Sequence, residues 1–279
     1  MEKNMPAPLL HIDSCKRLFE QFKLRKATLH FALVAVGSVL TDLEEMGVVK
    51  GLHWKAESFL AYLLKTDPKY APLAIGMIMH EEMDRTLDTH YVEPNIPRAE
   101  KILKKFNSQM FANEGHYFLD HAMTCAFVSD NPCVVRIAER AKKRLKDKHL
   151  HKIAYHLSTF FGGDEQGILS ALHHFKHFDM ATYLSDEKTA DMYGKFSLLR
   201  DGFSPDKRST LDKIKLALRY LQFILSNKKY LILEATQHAK KEFRNHNHAY
   251  NLACTAMSKR FAKLHAKHHL SFKKFSKAL

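Results

Sequence analysis

Residues that interrupt helices are scarce in this chain: among 279 residues there are 10 glycines and 8 prolines. That scarcity argues against collagen-like, low-complexity and turn-rich all-β architectures. The four cysteines, Cys15, Cys125, Cys133 and Cys254, form no Cys-x-x-Cys pair, so reduced thiols fit better than a disulfide framework or a zinc knuckle. Long apolar runs are also missing. The longest, Phe31 to Leu40, falls short of the ~20 residues that a bilayer-spanning helix needs. Acidic residues stop altogether after Glu242.

What is present is helical in pattern. Apolar residues make up 46% of the chain and recur at helical rather than alternating spacing, which predicts an all-α fold. The length is near the upper size that one core serves, so a single multi-helix domain over 1–279 is expected. A formal charge of +14, from 44 Lys+Arg against 30 Asp+Glu, attracts anions: phosphoesters, nucleic acid or an acidic membrane surface. The 19 histidines add to it below about pH 6.5. The first apolar stretch is broken by His11, Asp13, Lys16 and Arg17, and no secretory signal is visible, so a soluble, cytoplasmic protein is expected.

Caps and breakers predict helices over Ser14 to Lys26, Ala27 to about Met46, the segment after His53 up to Asp67-Pro68, and Tyr70 to about His90, which Pro94 and Pro97 should end. Further helices are expected over Pro97 to Phe106, Asn113 to Val128, Asn131 to Leu145, His149 to Phe161 and Asp164 to Phe178. The remainder predicts helices near Ser185 to Leu199, Lys207 to Leu225, Lys229 to Phe243 and His248 to Leu270.

The chemistry concentrates in Gly76 to His90, where His80, Asp84 and His90 stand at His-x3-Asp-x5-His spacing. Residues four apart share a helical face, so His80 and Asp84 can grip one ion, while His90 falls off that line. His116 and Asp120 are again four apart. With His30, Asp42 and His53 they make a set of imidazole and carboxylate donors, the kind zinc accepts, spread over several helices of a bundle. Isolated pairs carry little weight, since His53–Glu57 and His238–Glu242 share the spacing; the latter reads as a solvent-facing helical pair. Glu81, Glu82 and Asp88 read as solvent-facing groups or as supports for a ligand imidazole. His173, His174 and His177 read as a surface patch.

The ordered set resembles the zinc-dependent phospholipase C family, whose superfamily includes single-strand-specific nucleases. The resemblance lies in Leu29-His30-Phe-Ala, Gly37-Ser-Val-Leu-Thr-Asp42, His53, Leu73 through His80 and Asp84 to His90, and His116 through Asp120, within about residues 29 to 121. It implies a helical bundle in which Asp42, His53, His80 and Asp84 hold one zinc and His90, His116 and Asp120 a second. His30 with a shared Asp84 would hold a third, giving two or three ions. Asp120 is shorter than the family's usual Glu by one methylene, so the backbone must come closer there. The implied activity is hydrolysis of a phosphodiester, phospholipid by first choice. The metals would draw charge from the phosphoryl oxygens and lower the pKa of bound water from ~15.7 to about 7, with Asp42 orienting or deprotonating that water. A nuclease or nucleotidase of the same chemistry is the nearest alternative. A non-catalytic helical protein that binds membrane or nucleic acid is the next, and a di-iron protein fits least because paired Glu-x-x-His motifs are absent. The basic segment 258–279 interleaves seven lysines and arginines with Phe261, Leu264, Leu270, Phe272 and Phe275, and such a segment either lies on an anionic membrane or covers the core.

Overall fold

Helix α2 (Leu29–Leu40) is buried at every position but Val39, as a sequence apolar all round except at His30 and Ser38 requires. Thr28 caps it by accepting the Phe31 amide. In the computed structural model, which describes residues 8–24, 28–44, 48–110, 114–200, 218, 220–223 and 225–268, the regular elements are all helical and no strand occurs among the described residues. The Asp42 side chain lies outside the described residues, as do most of the expected Lys207 to Leu225 helix and residues 269–279. No helix among the described residues is long and apolar enough to cross a membrane.

Two compact units are distinguished by their internal packing. The first takes residues 8–87, 133–179 and the chain from 248 onward; the second takes 88–132 and 180–247. In the first, α1 (Pro8–Gln21), α4 (Ala71–Leu87) and α7 (Cys133–Arg144) gather around α2, α3 (Ala56–Thr66) packs on α4, and α8 (Asp147–Phe161) pairs with α9 (Glu165–His177). In the second, α6 (Gly115–Asp130) packs against α5 (Glu93–Lys105) and α11 (Lys228–Glu242), which in turn meets α10 (Asp186–Arg200). The last helix, α12 (Asn247–His268), meets α1 through Tyr250, whose hydroxyl donates to Asp13 at 2.8 Å.

The closest helix pair is α2 with α4, and glycine makes it so. A Cβ on Gly37 would collide with the Leu73 carbonyl, and one on Gly76 with the Val34 carbonyl. Both backbones thus touch where neither residue has a side chain. The contact has a direct consequence for the site: Ser38, next to Gly37, brings its carbonyl within 2.8 Å of the Nδ1 of His80, one turn beyond Gly76.

Several expected boundaries move, among them the ends of α1, at Gln21 rather than Lys26, and of α2, at Leu40 rather than about Met46. The first helix begins at Pro8, not Ser14; Pro8 suits a first turn, and the Ser14 hydroxyl donates back to the His11 carbonyl at 2.7 Å instead of capping. Pro94 and Pro97 do not end the helical path. After α4 the chain runs through a π turn, Asp88–Val92, and α5 resumes at Glu93 with Pro94 in its first turn, where amides have no intrahelical partner. Pro97 then forfeits only one early bond.

Candidate metal centre

His11, His80 and Asp84 meet inside the first unit. One donor atom from each lies within 4.8 Å of the others, and the three residues are 0%, 0% and 6% exposed. Two elements supply them: α1 carries His11 between Leu10 and Ile12, and α4 carries His80 and Asp84 four residues apart on one face. The two imidazoles stack, with ring centroids 4.2 Å apart and planes at 21°. Each aims its Nε2 at a different carboxylate oxygen, His80 to Oδ2 at 2.8 Å and His11 to Oδ1 at 3.3 Å.

The proton inventory of this cluster is informative. The Ser38 carbonyl can only accept, so Nδ1 of His80 carries the proton in that contact. A neutral imidazole has a single N–H, which leaves the Nε2 lone pair facing the Asp84 oxygen at 2.8 Å, acceptor against acceptor. In a dry interior that arrangement needs a positive charge, either a proton shared between the two atoms at this distance or a metal ion that both ligate after moving slightly apart. The carboxylate is poised for either. Burial pulls the Asp84 carboxyl upward, but His80 and His11 beside it outweigh burial and hold it well below the usual carboxylate range. Burial first, and then the neighbouring His80, lower the His11 pKa, against the opposing pull of Asp84. Its Nδ1 has no hydrogen-bond partner among the described residues.

The donors fit zinc in kind: two imidazole nitrogens and one carboxylate oxygen, the count that leaves one coordination position open in catalytic sites. The Ser38 carbonyl does what a second shell does, fixing the His80 tautomer so that Nε2 faces the cluster.

Of the residues singled out from sequence, His80 and Asp84 are together and His53 is beside them, its ring centroid 5.4 Å from that of His80. Glu44 positions His53 by accepting the His53 amide at 3.2 Å and the Gly51 amide at 2.9 Å. His53 and His30 are buried but do not belong to the three-donor group. His30, 6% exposed, has its pKa lowered by burial and then by the charge of Lys69. In the second unit His116 and Asp120 come together on α6, Nε2 to Oδ2 at 3.4 Å, with Asp88 Oδ1 4.0 Å from the same Nε2. His90 lies in the π turn, exposed, and joins no group of three donors among the described residues. Glu82 pairs with Arg85 at 2.6 Å.

His11 is the residue that sequence reading passed over. Its signal was a lone polar side chain in the apolar run Leu9-Leu10-His11-Ile12 behind Pro8, and it was hidden by starting the helix six residues too late. No family model, no curated protein and no solved structure matches the chain.

Proposed function

We propose that His11, His80 and Asp84 hold a divalent cation, zinc by their donor types, and that the protein is a metal-dependent phosphoesterase acting on a phosphodiester, phospholipid by first choice. The observation that carries the reading is the pair of acceptors, His80 Nε2 and Asp84 Oδ2, buried and set 2.8 Å apart with the other His80 nitrogen already committed to Ser38. The likeness of the His80, Asp84 and His116 to Asp120 segments to zinc-dependent phospholipase C supplies the reaction class, and the net charge of +14 suits an anionic substrate. Zinc bound there would supply Lewis acidity toward a phosphoryl oxygen and a water made acidic enough to attack at neutral pH. The chain's own part is to hold the imidazoles by stacking and by the Ser38 carbonyl, and to keep Asp84 ionised. Asp42 keeps its proposed role of orienting the attacking water, for which Asp42→Asn is the direct probe.

The deep burial of all three donors favours a second reading, in which a proton occupies the gap and the cluster is a structural His–Asp–His network. Elemental analysis separates the two. Protein purified without chelator is expected to carry at least one zinc per chain, and His80→Ala, with an unchanged circular dichroism spectrum, to lose it together with ~100-fold or more of any hydrolysis of bis(4-nitrophenyl) phosphate. Metal at trace level in the wild type, or hydrolysis surviving in His80→Ala, rules the proposal out. Short-chain phosphatidylcholine and single-stranded DNA, assayed side by side, decide between phospholipase and nuclease.

A further inference from the structure

The first unit contains a cavity of about 650 Å³, a volume within the range that small ligands occupy. One wall is α8, whose Lys148, His151, Lys152 and Tyr155 fall at i, i+3, i+4 and i+7 and so form one continuous face. The other wall is the short helical turn Pro68–Tyr70, which contributes Lys69 and Tyr70. Glu165, at the start of α9, is the one carboxylate among the lining side chains.

A basic face is ordinarily a solvated face with acids interleaved to neutralise it. Here the neighbouring acids are engaged elsewhere. Asp147, adjacent to Lys148, turns to Lys176 at 2.6 Å, and Asp67, two residues before Lys69, turns to Nε2 of His156 at 3.3 Å. Three ammonium groups from two separate elements are left lining one concavity, and none of them pairs with a carboxylate among the described residues. Tyr155 is 47% exposed, with Lys152 Nζ 5.3 Å from its ring centroid. A flat hydrophobic ring held in the open beside a cation offers a stacking platform. Tyr70 is fixed from behind by the His156 ring at 5.5 Å, and burial pushes its phenol up to about 12, so it stays a hydrogen-bond donor.

We propose that this cavity binds a small phosphorylated ligand bearing a flat ring, its phosphates held between Lys69, Lys148 and Lys152 and its ring laid on Tyr155. The site shares no residue with the His11, His80 and Asp84 cluster, and it stands or falls separately from the proposed hydrolysis.

Isothermal titration calorimetry on the full chain tests it, with pyrophosphate and adenosine diphosphate as probes at about 0.1 M salt. Saturable binding of both is expected. Lys152→Gln should weaken each about tenfold, and the triple variant Lys69→Gln, Lys148→Gln, Lys152→Gln at least ~100-fold, because each charge-assisted contact is worth roughly a factor of ten. Tyr155→Ala should cost adenosine diphosphate about tenfold and leave pyrophosphate within about twofold, since only the former has a ring to stack. His80→Ala should leave both probes bound as in the wild type. The lysines are at the surface, so their variants are expected to fold, which circular dichroism checks. Absence of saturable binding by the wild type up to about 1 mM, or binding by the triple variant equal to the wild type, overturns the proposal. Phosphatidic acid vesicles form a third arm: lysine-dependent capture of vesicles without binding of either soluble probe assigns the lysines to a lipid headgroup and overturns the small-molecule assignment.

Discussion

Individual side chains decide most at the cluster, and they do so by what each nitrogen and oxygen is already holding. The His80 ring is committed on one side to Ser38 and faces Asp84 on the other, which is why this pair calls for a cation. His238 and Glu242 illustrate the contrast: they stand at the same spacing, 3.9 Å apart, with both side chains about a third exposed, and water can serve them. The geometry ranks the histidines for metal binding in an order the sequence does not give. His11→Ala is expected to lower zinc content as His80→Ala does, whereas His90→Ala should leave it unchanged, because His90 is exposed and gathers with no two other donors among the described residues. Zinc measured by elemental analysis on the three variants checks this order, and a loss in His90→Ala equal to that in His11→Ala would contradict it.

Among the elements, the contact of α2 with α4 governs the site. Gly37 and Gly76 let two backbones touch, and the same closeness delivers the Ser38 carbonyl to His80. Gly76→Ala must push the helices apart, since the obstructing atom is a backbone carbonyl that cannot rotate away. A loss of stability of about 2–4 kcal/mol is expected from chemical denaturation, together with weaker zinc retention as the Ser38 contact lengthens. An exposed glycine-to-alanine change in a helix would instead be neutral or stabilising, so the sign of the effect is diagnostic. The described part of the basic C-terminal segment behaves as the covering helix rather than as a free amphipathic surface. Phe261 and Leu264 are 1% and 2% exposed, Arg260 and Lys267 both reach Glu57, and the Phe261 ring meets Phe22 at 4.7 Å. Truncation after His268 is expected to leave the melting temperature within about 2 °C, while truncation after Met257 should lower it by roughly 8 °C or more, because Phe and Leu core side chains are each worth about 2–5 kcal/mol. Salt-sensitive vesicle binding that the full chain shows and the truncation after His268 loses would assign a membrane contact to residues 269–279.

The molecule as a whole carries many histidines for its size, and burial gives them a collective effect on stability. His156 and His246, 3% and 1% exposed, have pKa values lowered below 6.5, in each case by burial first and against the opposing pull of Asp67 or of the Phe243 carbonyl and Asp130. A folded-state pKa below the unfolded value means that the unfolded chain takes up more protons as pH falls through about 6.5, so stability is lost on acidification and is fully present above that value. The melting temperature is expected to fall by at least about 3 °C between pH 7.5 and 5.5; a constant or rising value over that interval would show that these rings are not buried neutral. The thiols carry no such dependence. Cys15 and Cys125 are free and buried, and burial pushes both thiols up to about 12.

The sequence alone determined the helical character of the chain, because apolar period, capping residues and the shortage of glycine and proline all act within a few residues of one another. Helix ends that depend on local chemistry follow it closely, as with α8, α9 and α11, where the expected limits differ from the observed ones by at most two residues. His80 and Asp84 were legible for the same reason: four residues along a helix bring two side chains to one face whatever surrounds them. His11 was not legible, nor was the convergence of Lys69 with the α8 lysines. Those meetings join residues about 70 or more positions apart, and only the packing of one helix on another decides which side chains share a pocket, which carbonyl fixes a ring, and which histidines are left to water.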